Sequence, residues 1–160
     1  MTAPVEGPSF VDARRAARLA AVQALYQMDM TGQGVGAAVR EYLDHRLGDD
    51  GETGPLRDAD AAFFGALTRG VVDEQAAIDE AITSRLAEGW KLSRIDSIVR
   101  AVLRAGTFEL LRRPDVPVAV VIDEYVGLVT AFFDGPESGF VNGLLDRVAK
   151  ETGAHALRAG

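Results

Sequence analysis

Residues 93–111 read SRIDSIVRAVLRAGTFELL. Within this stretch Ile95, Ile98, Val99, Val102, Leu103, Gly106 and Leu110 recur at the spacing of one face of an α-helix. The opposite face carries Arg94, Arg100, Arg104 and Glu109. Ser93 and Asp96 have the form of a capping box, with Asp in place of Glu. The stretch therefore predicts a helix with one buried surface and one basic surface, and the rest of the chain can be read outward from it.

Downstream, Pro114 and Pro117 bound a short turn. Val118 to Ile122 has the composition of a strand, yet Ile122, Tyr125, Val126, Val129, Phe132 and Phe133 continue at helical spacing without a break. This predicts a helix from about Pro117, with proline at its first turn. A turn over 134–138 and a last helix over 139–151 follow, with Phe140, Leu144, Leu145 and Val148 on one face. Upstream, Asp12 is a candidate N-cap for a helix running to about Asp29, with Leu19, Val22, Tyr26 and Met30 recurring along it. Glycines between Thr31 and Gly36 end it. A second helix is expected over 35–47, carrying Val39, Tyr42 and Leu43, and an acidic, glycine-rich loop over 48–55, the best candidate for disorder. A helical stretch over 59–88 buries Phe63, Phe64, Leu67, Val71, Ile78, Ile82 and Leu86, and its length predicts a break near 70–74. The fold class is all-α. The expected organisation is an N-terminal tail over 1–11, one helical domain over 12–152 and a short tail over 153–160.

Composition narrows the function. The 160 residues are 48% apolar but only 7% aromatic, dominated by alanine and leucine, which favours helices. No apolar run approaches the roughly 20 residues of a membrane span, and Met1 to Pro8 does not read as a signal peptide. A soluble, cytoplasmic protein is expected. The absence of cysteine removes disulfides, thiol nucleophiles and zinc–thiolate sites. With two histidines, His45 and His155, no metal site is expected. Asp123 and Glu124 are adjacent and point about 100° apart on a helix, so they cannot share one substrate atom. They read instead as acids of a helix N-terminal turn, and Asp79 and Glu80 read in the same bland way. No phosphate-binding loop or nucleophile elbow occurs. The chain is therefore expected to bind rather than catalyse, without a cofactor.

The net charge of −7 argues against indiscriminate nucleic-acid binding. The charges are unevenly distributed, however: bases gather between Lys91 and Arg113, and Arg14, Arg15 and Arg18 lie close together near the start. On a helix Arg14 and Arg18 share a face and Arg15 flanks them, an arrangement suited to phosphates or base faces. An ordinary solvated helix start is the competing reading. Trp90, after Gly89, reads as a partly buried anchor between helices, with a stacking platform as the competing reading.

The segment RRAARLAAVQALYQ, Arg14 to Gln27, resembles the opening helix of the NusB family of transcription antitermination factors. Val102-Leu103-Arg104 leading to Phe108-Glu109-Leu110 and Asp115-Val116-Pro117 is similar to a second family block. Phe140-Val141-Asn142-Gly143-Leu144-Leu145-Asp146 is similar to a third, and Ile122-Asp123-Glu124 to a further short one. The blocks stand in the family's order over about Asp12 to Lys150. The resemblance implies about seven helices in two three-helix bundles, and a factor that binds boxA-type nascent RNA together with ribosomal protein NusE within an RNA polymerase antitermination complex. It implies RNA contacts by Arg14, Arg15, Arg18, Phe140 and Asn142, although Asn142 could instead cap the final helix. Partner contacts fall to Tyr26, for which a core role competes, and to Arg100 and Arg104 on the basic face. A homodimer is left open. The chain departs from the family at Ala16, Thr130 and Gly139, where relatives often carry bases, which lowers the expected RNA affinity without NusE. Two other readings remain: a protein-interaction scaffold with little RNA binding, and a stand-alone relative of the RNA-binding domain of an RNA methyltransferase.

Overall fold

A computed structural model describes residues 9–47 and 56–154. The described residues form seven α-helices and no strand. The loop expected over 48–55 and most of both tails lie outside them.

The first helix, α1, runs Phe10–Thr31. It starts three residues before the expected point, because Ser9 rather than Asp12 is the cap: Ser9 Oγ accepts from the Asp12 amide at 3.0 Å. It ends at Gly32, whose φ of +75° is left-handed and lets its amide donate to the Met28 carbonyl at 2.8 Å. Only half of the expected Leu19–Val22–Tyr26–Met30 stripe lies on the buried face of α1: Val22 is buried and Leu19 packs against the core. Ala17, Ala20, Ala21 and Ala24, with Val22 and Leu25, are buried, while Tyr26 and Met30 face outward. Small side chains at helical spacing let neighbouring helices approach closely, so alanine takes the contact face and the larger groups turn out.

Helix α2 spans Val35–Glu41 and continues as a wider π-helical turn over Tyr42–Arg46. This turn sinks the Tyr42 ring to 5.5 Å from Phe64 and leaves Leu43 exposed. The expected long helix is two: α3, Ala61–Asp73, capped by Asp60 on the Phe63 amide at 2.9 Å, and α4, Gln75–Thr83. They break at Glu74, within the predicted window, and α4 stops five residues short of the expected end. Leu86 lies half-buried in the turns beyond it.

Helix α5, Ser97–Arg112, is the centre of the molecule. Asp96 itself is the cap, accepting from the Ile98 and Val99 amides at 2.8 and 3.2 Å, so the Ser93–Asp96 box is not formed. Ser93 belongs to a single 3-10 turn over Leu92–Arg94. Helix α6 spans Val118–Phe132, with Pro117 as its cap residue, and α7 spans Glu137–Glu151. Asn142 lies well inside α7 and cannot cap it.

α1, α2 and α3 pack together as one bundle, α5, α6 and α7 as the other, and α4 lies on α5. The seam between the bundles is α1 against α5. They run antiparallel: Arg18 meets Glu109 at one end and Asp29 meets Arg100 at the other. Gly70 of α3 and Gly106 of α5 mark close approaches between helices. A Cβ at Gly70 would stand 2.2 Å from Phe108 Cζ, and one at Gly106 would stand 3.0 Å from Leu145 Cδ1.

Candidate nucleic-acid interface

The three arginines of α1 fall in three different environments. Arg18 is buried, with its side chain 3% exposed, and forms a bidentate pair with the fully buried Glu109 at 2.8 and 2.9 Å. The Tyr125 hydroxyl donates to the same carboxylate at 2.5 Å. One residue each from α1, α5 and α6 is thereby tied together across the seam. Burial alone pulls the Arg18 guanidinium down, but its hydrogen bonds to Glu109 and the carboxylate charge outweigh that and leave it raised. Burial, with the Glu109 charge behind it, pushes the Tyr125 hydroxyl well above its ordinary range. Glu109 is thus a core residue, not part of the basic face. Arg18 is a tie between helices, withdrawn from any surface RNA could reach in this conformation.

Arg14 is mostly covered. Its guanidinium lies between the rings of Phe10 and Phe63, at 4.4 and 4.2 Å, and 3.7 Å from Asp115. Arg15 is the most open of the three, with 58% of its side chain exposed, and grips Glu124 through two hydrogen bonds of 3.0 and 3.1 Å. Those bonds, more than the Glu124 charge, raise its pKa. Each arginine therefore has a carboxylate beside it, Arg14 sharing Asp115 with Arg113, which reduces the field available to a phosphate. Glu124 is not a helix-start acid: the first turn of α6 holds none, and Glu124 is the partner of Arg15. Asp79 likewise pairs with Arg104 at 2.9 Å.

Tyr26 is half-exposed and lines a groove with Met30, Ile98 and Phe132, between the end of α1, the start of α5 and the end of α6. It is neither fully buried nor free-standing. Arg100 and Arg104 are mostly buried and both reach Asp29, at 3.2 and 3.4 Å. Arg100 also donates to the carbonyls of Ile95 and Ser93, at 3.1 and 3.3 Å. They bind α1 and α4 to α5, so the basic face read from the sequence is largely neutralised within the molecule.

Phe140 is half-buried and Asn142 exposed, one turn into α7. The Trp90 ring stacks on Phe140, with centroids 6.0 Å apart and planes 27° apart. Trp90 is 59% exposed, an outward-facing ring rather than the expected anchor. Its neighbours Lys91 and Arg94 are exposed and have no carboxylate partner among the described residues. The sequence left the direction of Trp90 undecided because it lies in a turn, where no periodicity reports it. Phe140 faces the level of Val99 on α5, whereas Arg14 and Arg15 lie beyond the level of Glu109. At 1.5 Å per residue the two groups are separated along α5 by roughly 20 Å. The residues assigned to one surface by resemblance thus form two clusters.

Among the described residues no group of His, Cys, Asp or Glu is placed to hold a metal ion. No described helix is long and apolar enough to cross a membrane.

Comparison with known proteins adds a family. Residues 15–150 match the model of the NusB family. The transcription antitermination protein NusB of Caulobacter vibrioides is 55% identical over 141 residues, 88% of this chain and 95% of that protein. The protein of the same name from Maricaulis maris is 52% identical, covering 93% and 94%. Among solved structures, NusB of T. maritima superposes with a TM-score of 0.73 at 31% identity, covering 94% of each chain. A chain from the structure of antitermination factors NusB and NusE in complex with dsRNA shares the fold, with a TM-score of 0.69 at 24% identity and coverage of 87% and 97%.

Proposed function

Because this chain belongs to the NusB family, we propose that it is a transcription antitermination factor that binds boxA-type nascent RNA together with ribosomal protein NusE. One observation carries the reading: relatives named for antitermination match it at more than half identity over nearly their whole length. The role is one of binding, not catalysis. It is exercised in the cytoplasm, within an RNA polymerase antitermination complex on ribosomal RNA operons. Residues 12–152 act as a single helical domain. Arg15, helped by Arg14, meets RNA at one end, and Phe140 and Asn142 meet it at the other. The groove beside Tyr26, with its exposed Met30 and Phe132, receives NusE; Arg100 and Arg104 hold the wall of that groove through Asp29.

The arrangement of charges sets the affinity. A phosphate that takes Arg14 or Arg15 must displace Asp115 or Glu124, so the isolated chain binds RNA weakly and NusE supplies the missing contacts. The same carboxylates favour one competing reading, a protein scaffold with little RNA affinity of its own. Fluorescence anisotropy with a boxA-type RNA, with and without NusE, separates the two. Arg14→Ala/Arg15→Ala is expected to lower RNA affinity while NusE binding, followed by size exclusion with light scattering, stays intact. Arg18 is left unchanged because its loss disrupts the core. Unchanged RNA affinity in the variant would favour the scaffold, and equally tight binding with and without NusE would overturn the partner dependence. The same light scattering reports whether exposed Phe10, Val11 and Val120 pair two copies of the chain over Arg14.

A further inference from the structure

We propose that the Trp90–Phe140 pair is a stacking platform for an unpaired base of single-stranded RNA, with Lys91 and Arg94 holding the adjoining phosphates. The inference deepens the RNA-binding reading above and rests on it. Its first ground is exposure. A tryptophan with more than half its surface in water, its ring propped on a phenylalanine, holds an aromatic face in a fixed orientation before any ligand arrives. A base stacked on a fixed ring forfeits little further side-chain freedom, and every base has a face to offer.

The second ground is charge. Most described bases in this chain are paired with a carboxylate: Arg14, Arg15, Arg18, Arg100, Arg104 and Arg112 all are. Lys91 and Arg94, one and four residues from Trp90, have no such partner among the described residues. Cations left free beside an exposed aromatic are the footprint of a nucleic-acid strand rather than of an apolar peptide.

The third ground is shape and polarity. Trp90, Arg94, Ile95, Val99 and Phe140 line a groove of about 380 Å³. Helices α5 and α7, of 16 and 15 residues, both begin there and direct the positive ends of their dipoles toward it. Two acids border the groove. Asp96 is occupied in capping α5, and Glu137 Oε2 is buried without a hydrogen-bond partner. Neither pairs with Lys91 or Arg94.

Trp90 is the chain's sole tryptophan, so it reports on its own site. The full chain, with NusE present, is titrated with boxA-type single-stranded RNA while intrinsic fluorescence is followed. Stacking is expected to quench Trp90 strongly. Trp90→Ala is expected to weaken RNA binding about tenfold, the loss of one stacked base, whereas Trp90→Phe retains most of the affinity. Lys91→Ala/Arg94→Ala is expected to flatten the dependence of log K on log salt by about 0.7 for each phosphate that these side chains neutralise. The ring's exposure predicts normal folding of these variants, checked by circular dichroism. Unquenched fluorescence with full affinity in Trp90→Ala, while Arg14→Ala/Arg15→Ala loses binding, overturns the platform and leaves the RNA-binding role standing. Loss of NusE binding in Trp90→Ala with RNA binding unchanged overturns it in favour of a protein-docking surface. If the unaltered chain with NusE binds no RNA, the wider reading fails and the platform fails with it.

Discussion

Replacing Arg18 by Met removes the guanidinium from the seam between the bundles and leaves its space filled by an apolar chain of similar length. Glu109 then keeps a carboxylate with no exposed surface and loses both of its charge-assisted bonds to α1, of 2.8 and 2.9 Å. Breaking a buried pair from one side costs about 3–5 kcal/mol, against a total stability of about 5–15 kcal/mol for a domain. With a urea m-value of about 2 kcal/mol per molar, the unfolding midpoint falls by roughly 1.5–2.5 M. Removing the charges altogether should reverse most of this. In Arg18→Met/Glu109→Met the Tyr125 hydroxyl stays buried without its carboxylate, an uncompensated cost of about 1–3 kcal/mol. Adding Tyr125→Phe removes that too, and the triple variant is expected to return to within about 1 kcal/mol of the original. Urea unfolding followed by circular dichroism measures all three. A loss below about 1 kcal/mol in Arg18→Met, or a triple variant no more stable than the single, would refute the assignment of Arg18 to the core.

Two further outcomes follow from the same packing. Gly70→Ala gains about 1 kcal/mol of helix propensity but drives a methyl group into the Phe108 ring, at a cost of about 1–3 kcal/mol, so a lower thermal midpoint is expected, and a raised one would show that the α3–α5 packing is loose. Tyr125 is held protonated in the fold by burial and by Glu109, while in the unfolded chain it ionises near the ordinary value of 10.0. The folded state therefore binds more protons at high pH, and stability is present below about pH 10 and declines above it. Tyr42, raised by burial, contributes in the same direction. Tyr125→Phe is expected to flatten the decline, as read from urea midpoints across alkaline pH, and an unchanged slope would contradict it.

The helices were legible wherever apolar residues kept a regular spacing, as in α5, α6 and the paired α3 and α4. What misled was residue type set above position. Glu109 stands seven residues after Val102 and three after Gly106, squarely on the buried stripe, yet its charge assigned it to the polar face. Arg18 stands next to Ala17 and three residues before Ala21 in the same way. Two charged residues at core positions on helices that must pack somewhere are a signal for a buried pair. No single helix contains that signal, because the pairing is separated by most of the chain. The capping errors at Ser9 and Asp96 have a similar cause, since several acceptors compete at each helix start and only the backbone decides among them. The direction of the Trp90 ring was illegible for the opposite reason: a turn has no period to read.

The tie between Arg18 and Glu109 joins residues 91 positions apart. At a synthesis rate of about 5–20 residues per second, roughly 5–18 s pass between the appearance of the first partner and the second. In the later part of that interval, once α3 has been made, the alanine face of α1 has α3 to rest on but not α5, and the Arg18 guanidinium lacks its buried partner. The nascent chain must thus carry its opening helix half-assembled until about two thirds of the protein has been made. Only then can the two bundles close on each other, so the final step of folding waits on the ribosome rather than on the chain.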